Sequence, residues 1–409
     1  MLSLVRATQA LNLVRILARV GSDLTTAADP ILPELRGTLF LEDGTRFDGA
    51  GTGAEGHRVG EVVFTTGMVG YPESLTDPSF RGQILVFTYP LLGNYGVPDP
   101  AARDRWGLPA YFESLEVQVR GVVLRGLTRP SHWRSNRSFA SWLREEKVPG
   151  VVGIDTRRLT EHLRSHGVLR GVIWVRAADA KAPTTAQLRR ELARAPAYAE
   201  EKFLPEVAAR EATFYSLERG PVVAVPDCGV KASILRALLD RRLSVLRLPP
   251  EQTIPEKWEG RRVVGLVVGN GPGDPAELTG PIDALRDARH SGLPTLGICL
   301  GQQLLALSRG GKTFKMKYGH RGQNKTVLFT DGRAIIASEN HGYAVDPRSL
   351  RRTGLKAWAS NPDDSTLEGL RDGRGLVLAL QGHPEGHPGP QEAGFVFDQF
   401  ARKLRRRAG

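Results

Sequence analysis

One segment constrains this chain more than any other: Leu293-Pro-Thr-Leu-Gly297-Ile298-Cys299-Leu300-Gly301-Gln302-Gln303-Leu304-Leu305. An apolar run ends at Gly297, one of only two cysteines follows, and an apolar helix-forming run starts at once. A strand that turns directly into a helix around Gly-x-Cys-x-Gly is a nucleophile elbow, the cysteine counterpart of the serine elbow. The glycines let the backbone turn tightly and leave room for a substrate beside the sulfur. The first backbone N–H groups of the helix point at the sulfur and stabilise a thiolate. Such an elbow belongs at the C-terminal end of a strand in an α/β sheet.

A cysteine nucleophile needs a base, and the base needs a group that fixes its tautomer. Both are present in Gln381-Gly382-His383-Pro384-Glu385, which follows the apolar strand pattern Gly375-Leu-Val-Leu-Ala-Leu-Gln381. Pro384 stiffens the turn, so Glu385 can return to the second ring nitrogen of His383. Upstream, Val263-Val-Gly-Leu-Val-Val268 reads as a buried parallel strand that runs into Gly269-Asn-Gly-Pro-Gly-Asp-Pro275. That loop presents N–H groups without side-chain obstruction, as an oxyanion hole requires. No Lys-Ser/Thr follows its glycines, which argues against a phosphate-binding P-loop.

The flanking pattern is that of two domains. The chain of 409 residues is 41% apolar and 24% charged, the balance of a soluble globular protein. No apolar run reaches the length of a membrane span. Residues 1–34 read as an extension, either a transit-peptide-like segment or a flexible one, and 35–185 as a first domain. Residues 186–220 read as a linker and 221–405 as an α/β domain with a mostly parallel sheet. Thr38–Leu41 and Arg46–Phe47 read as a hairpin, and Thr156–His166 as a helix with Thr156 as its N-cap. Of the formal net charge of +12, eight positive charges come from residues 1–22 and 402–409, so the folded middle is only mildly basic. That distribution argues against a nucleic-acid-binding face. Cys228 and Cys299 are too few for a disulfide framework, and pairing them would abolish the nucleophile, so a reducing compartment is implied. His57, His132, His162, His166, His290, His320 and His387 lack ligand spacing, and His341 reads as structural, so no metal site is expected.

Gly-Ile-Cys299-Leu-Gly, His383-Pro-Glu385 and Asn270-Gly-Pro-Gly-Asp-Pro275 resemble the class I (triad) glutamine amidotransferases. Ser338-Glu-Asn340-His341-Gly342-Tyr343 and Lys315-Met-Lys317-Tyr-Gly319-His-Arg-Gly322 narrow the resemblance. They are similar to the small, glutamine-hydrolysing subunit of carbamoyl-phosphate synthetase. In the front half, Gly60-Glu-Val-Val-Phe-Thr-Thr-Gly67 through Thr76-Asp77-Pro78-Ser79, with Gly93-Asn94-Tyr-Gly96 and Gly153-Ile-Asp155-Thr156-Arg157, carries the same resemblance. It implies an N-terminal α/β small-subunit domain and a C-terminal amidotransferase domain. It implies that Cys299, His383 and Glu385 form a triad and that the Gly271 and Leu300 N–H groups bind the oxyanion. Ser79, Gly271, Gly273, Leu300, Gln303, Asn340, Gly342 and Tyr343 would surround glutamine. Gln302 stands where many relatives carry histidine, at a position that need not face substrate.

The resemblance further implies a partner, the large synthetase subunit, which would bind ATP and Mg²⁺ and dock on the first domain. This chain itself would bind no cofactor, nucleic acid or membrane. Synthesis of arginine, pyrimidines or both would be served. The expected location is cytoplasmic, with the mitochondrial matrix as the alternative. The competing readings are a glutaminase for another synthase and a non-catalytic regulatory subunit; the unusual first domain and the intact triad argue against them.

Overall fold

The computed structural model describes residues 34–408, so the reading of residues 1–33 lies outside the described residues. Seven strands close the first domain into a barrel: β1 (Leu35–Leu41), β2 (Arg46–Gly53), β3 (Gly56–Thr65), β4 (Gln83–Phe87), β5 (Gly121–Leu124), β6 (Pro149–Val152) and β7 (Leu169–Ala177). They lie in the order β1-β2-β6-β5-β4-β3-β7, and β7 pairs antiparallel with β1 to close the ring. The hairpin β1–β2 pairs Leu39 with Phe47, whereas β3-β4-β5-β6 run parallel. Alternate residues point inward, and Leu39, Leu41, Ile84, Val86, Val123 and Ile173 form one buried cluster.

Two local expectations are corrected. The cap of helix Thr156–His166 is Asp155, whose carboxylate accepts from the Arg158 N–H at 3.0 Å; Thr156 is the first helical residue. A carboxylate at that position also meets the positive end of the helix. The interval read as a linker carries structure attached to both domains. Helix Thr185–Arg194 spaces Leu188 and Leu192 four apart and buries both against Phe40 and Val172 of the barrel. Strand β8 (Thr213–Tyr215) adds an antiparallel edge to the second domain.

The second domain contributes β9 (Val222–Pro226), β10 (Ser244–Leu248), β11 (Lys257–Trp258), β12 (Arg261–Val268), β13 (Thr295–Ile298), β14 (Thr313–Phe329), β15 (Ala334–Val345), β16 (Leu355–Ser360), β17 (Leu367–Asp372) and β18 (Val377–Leu380). The sheet order is β15-β14-β16-β17-β18-β13-β12-β9-β10-β8. Parallel pairing is confined to the centre, β18-β13-β12-β9-β10; both flanks are antiparallel. The central strands are near-continuous apolar runs because both faces are covered. Leu296, Ile298 and Leu380 face helices Ala232–Asp240 and Phe395–Ala408. Leu266, Val268 and Ala379 face helices Thr279–Ala288 and Leu300–Leu307. The long hairpin β14–β15 reaches back to the barrel, where the Thr66 N–H donates to the Arg321 carbonyl at 3.2 Å.

Candidate active site

The elbow forms at the end of β13. Cys299 has φ 55° and ψ −110° and immediately precedes helix Leu300–Leu307. A left-handed φ at a non-glycine residue is strained, and here it lifts the sulfur out of the sheet. The turn survives only because its neighbours are bare. A Cβ on Gly301 would lie 2.0 Å from the Val268 carbonyl oxygen. The Cys299 N–H is fixed by the Leu380 carbonyl at 2.9 Å.

His383 and Glu385 follow the neighbouring β18 and are buried beside the elbow. His383 Nδ1 lies 2.7 Å from Glu385 Oε1, so the imidazole donates from Nδ1 and presents Nε2. That Nε2 is buried and has no hydrogen-bond partner among the described residues. The His383 N–H donates to the Ser338 carbonyl at 2.8 Å, which ties this loop to β15. Burial works against a charged imidazole, but the Glu385 carboxylate more than offsets it, and His383 is pushed up to about 10, with Cys299 contributing in the same direction. Burial alone would also raise Glu385; the charges of Lys231 and His383 instead hold it far below the usual carboxylate range.

One pocket is lined by Cys299 together with Ser79, Gly271, Gly273, Leu300, Gln303, Asn340, Gly342 and Tyr343. The structure thus brings together all eight residues that the resemblance placed around glutamine. Gly271 has no room for a side chain, since a Cβ would sit 2.1 Å from the Cys228 carbonyl oxygen. Gln303 donates to the Tyr343 carbonyl at 2.7 Å and to Gln381 Oε1 at 3.1 Å. Gln302 is buried away from the pocket and donates to the Leu367 carbonyl at 3.2 Å.

Sequence reasoning missed four contributors. Lys231, buried at the start of helix Ala232–Asp240, places Nζ 2.8 Å from the same Glu385 oxygen that His383 uses. Asp77 of the barrel joins the domains: it accepts from Asn270 at 3.2 Å and Asn340 at 3.1 Å. Asn270 itself donates to Ser79 Oγ at 2.9 Å. Tyr198, from the interval read as a linker, lines the pocket and accepts from the Gly273 N–H at 3.3 Å. Asp77 and Asn270 lay inside quoted motifs, so their positions carried a signal; Lys231 and Tyr198 carried none.

A cysteine elbow, a neighbouring histidine–glutamate pair and a pocket lined by the cysteine have the arrangement of a nucleophilic cysteine with its base. Residues 224–403 match the family model "Glutamine amidotransferase class-I", and residues 39–173 match "Carbamoyl-phosphate synthase small chain, CPSase domain". The chain is 43% identical over 371 residues to the carbamoyl phosphate synthase small chain of Pyrococcus furiosus, covering 90% of this chain and 98% of that one. It is 41% identical over 369 residues to the small chain of Sulfolobus acidocaldarius, covering 90% and 96%. Among solved structures it resembles a glutamine amidotransferase from Thermotoga maritima, with TM-score 0.34 and 16% identity over 47% of this chain and 86% of that one. The chain belongs to the carbamoyl phosphate synthase small chain family and is the glutamine amidotransferase subunit of that enzyme. A small chain implies a large-subunit partner and glutamine as substrate. No helix among the described residues is long and apolar enough to cross a membrane.

Proposed function

We propose that His383 Nε2 holds the proton taken from Cys299, so that the Sγ thiolate attacks the carboxamide carbon of glutamine and His383 passes that proton to the departing ammonia. Glu385 holds the Nδ1–H tautomer and offsets the imidazolium charge. The Gly271 and Leu300 N–H groups stabilise the tetrahedral oxyanion, each worth about 3 kcal/mol of barrier. Water then attacks the thioester carbon, with His383 as base, and releases glutamate and free enzyme. The observation that carries this reading is the His383–Glu385 pair, 2.7 Å apart, beside the strained Cys299 at the mouth of a pocket lined by all the expected glutamine contacts.

Ammonia passes to the large subunit, which supplies the ATP, Mg²⁺ and bicarbonate chemistry; this chain needs no cofactor for its own step. The product serves arginine synthesis, pyrimidine synthesis or both, and the working location is the cytoplasm. The barrel domain provides the docking face. Met68, Val69, Leu91, Leu115 and Trp133 are large apolar side chains exposed there, the kind of surface a partner covers.

The test is Cys299→Ala in complex with a large subunit. Glutamine-dependent carbamoyl phosphate formation should vanish while ammonium-dependent formation persists. Loss of both would show that the residue serves structure rather than chemistry.

A further inference from the structure

Behind the glutamine pocket, on the flank of the sheet, lies a second buried cluster that the amide chemistry does not use. His320 comes from β14, Glu339 and His341 from β15, and Glu368 from β17. All four are at most 5% exposed. The antiparallel register sets His320 directly opposite His341. Glu339 and His341 are two apart on one strand and share a face; His341 also borders the glutamine pocket, to which the intervening Asn340 contributes.

The ring nitrogens are sorted by what lies behind them. His341 Nδ1 is 2.8 Å from the Tyr343 carbonyl, which can only accept, so that nitrogen carries the proton. His320 Nε2 is 2.9 Å from Asp364 Oδ2 and donates to it in the same way. The neutral rings therefore turn His341 Nε2 and His320 Nδ1, both as lone pairs, toward the two glutamates. Backing of a histidine by a carbonyl or a carboxylate is the arrangement that fixes the tautomer of a metal ligand. Donor atoms of the four residues all lie within 4.8 Å of one another. His320 Nδ1 is 2.9 Å from Glu339 Oε2 and 3.7 Å from Glu368 Oε1, and His341 Nε2 is 3.3 Å from Glu339 Oε2. A tetrahedral ion with ligand bonds of about 2.0–2.1 Å has ligand–ligand edges of about 3.3 Å.

Without a cation the cluster is poorly satisfied. Among the described residues, the buried Glu339 Oε1 and Glu368 Oε2 have no hydrogen-bond partner. If both rings were neutral, two carboxylates would be buried without countercharge; if His320 alone were protonated, its Nδ1–H would meet only Glu339 Oε2 and Glu368 Oε1 and leave the other two oxygens bare. If both were protonated, their N–H groups would converge on Glu339 Oε2 and still leave those two oxygens bare. One divalent cation between the rings, facing Glu339 Oε2 and Glu368 Oε1, replaces both protons and balances both carboxylates.

We propose that His320, Glu339, His341 and Glu368 bind one first-row divalent transition-metal ion, zinc foremost, as a structural site. Mixed imidazole–carboxylate donors suit zinc and its neighbours, and a site with four protein ligands and no open position is structural rather than catalytic. The ion would lock the β14–β15 register, and with it the strand that carries Asn340 into the glutamine pocket. This reading does not depend on glutamine hydrolysis.

The experiment uses the untagged full chain carrying Cys299→Ala, so that the active-site thiol cannot hold metal. Metal content is measured after chelator treatment, zinc reloading and gel filtration. About one equivalent of zinc per chain is expected, with a melting temperature that rises with zinc concentration. Cobalt(II) should give the intense visible absorption of a tetrahedral site without thiolate charge-transfer bands. Glu368→Gln and His320→Gln should each weaken zinc binding at least about tenfold. If either variant fails to fold, the cobalt spectrum and zinc-dependent melting of the parent chain decide. Three results would overturn the proposal: no stoichiometric zinc together with no thermal response to zinc or cobalt, a cobalt spectrum with thiolate bands, or unchanged affinity in folded variants.

Discussion

Replacing Glu385 by glutamine should destabilise the fold as well as slow the reaction, because one buried oxygen serves two cations. Glu385 Oε1 is 2.7 Å from His383 Nδ1 and 2.8 Å from Lys231 Nζ. The Lys231 and Glu385 side chains are 3% and 1% exposed, so solvent screens the pair very little. In Glu385→Gln the amide oxygen can still accept one hydrogen bond, but the charge is gone. Lys231 keeps the His387 carbonyl and the more distant field of Glu113 and Asp77. Removing one partner of a buried ion pair costs roughly 3–5 kcal/mol. For the domain matched over residues 224–403, each kcal/mol moves the melting temperature by about 2–4 °C, so a fall of about 6–20 °C is expected. Lys231→Met leaves Glu385 with His383 as its countercharge and should cost less. The double variant Glu385→Gln/Lys231→Met strands no lysine, and its loss should fall short of the sum of the single losses by about 1–3 kcal/mol. Thermal melts of the full chain and the three variants in one buffer measure this. Glutaminase activity should stay low in the double variant, which separates the stability effect from catalysis. Additivity within about 0.5 kcal/mol, or a Glu385→Gln melt equal to the parent, would refute the shared-anion argument.

His383→Asn should lower the glutaminase rate more than Glu385→Gln, because the base moves the proton while the carboxylate only orients and offsets it; steady-state rates decide, and the reverse order would exchange the roles. His383 is raised from 6.5 to about 10 in the fold, so its pair with Glu385 contributes stability that is complete below about pH 6.5 and lost as pH rises through 10. The stability advantage of the parent over His383→Asn should therefore shrink between about pH 7 and pH 10; a constant or growing difference in urea unfolding would contradict the sign. The chain alone should hydrolyse glutamine slowly, and a large subunit should raise that rate until the two are equal in number. Asp77 couples the Ser79 turn to Asn270 and Asn340 across the domain boundary, and a shift of about 1 Å at such a site changes rates on the order of a hundredfold. A rate unchanged by the partner would remove that coupling.

What the sequence determined by itself is whatever depends on residues close together in the chain. The elbow around Cys299 is local: its glycines, the strand before it and the helix after it occupy one continuous stretch, and backbone sterics alone require those residue types. His383-Pro-Glu385 is equally local, with only a proline between the two partners. The apolar runs that became β12, β13 and β18 were legible for the same reason, since strands covered on both faces need no polar alternation. The structure alone decided which distant segments meet. Lys231 reaches an oxygen 154 positions away, and Asp77 reaches Asn340 across 263. The barrel closes only because β7 returns to β1. The interval before β9 holds both domains, through two leucines on one side and a three-residue edge strand on the other. His320, Glu339, His341 and Glu368 show the difference most plainly. Their spacing along the chain matches no ligand motif, yet one strand register and one neighbouring strand set their donor atoms within 4.8 Å. Sheet order and register are properties of the whole packed core, so side chains that they juxtapose leave no periodic trace in the sequence.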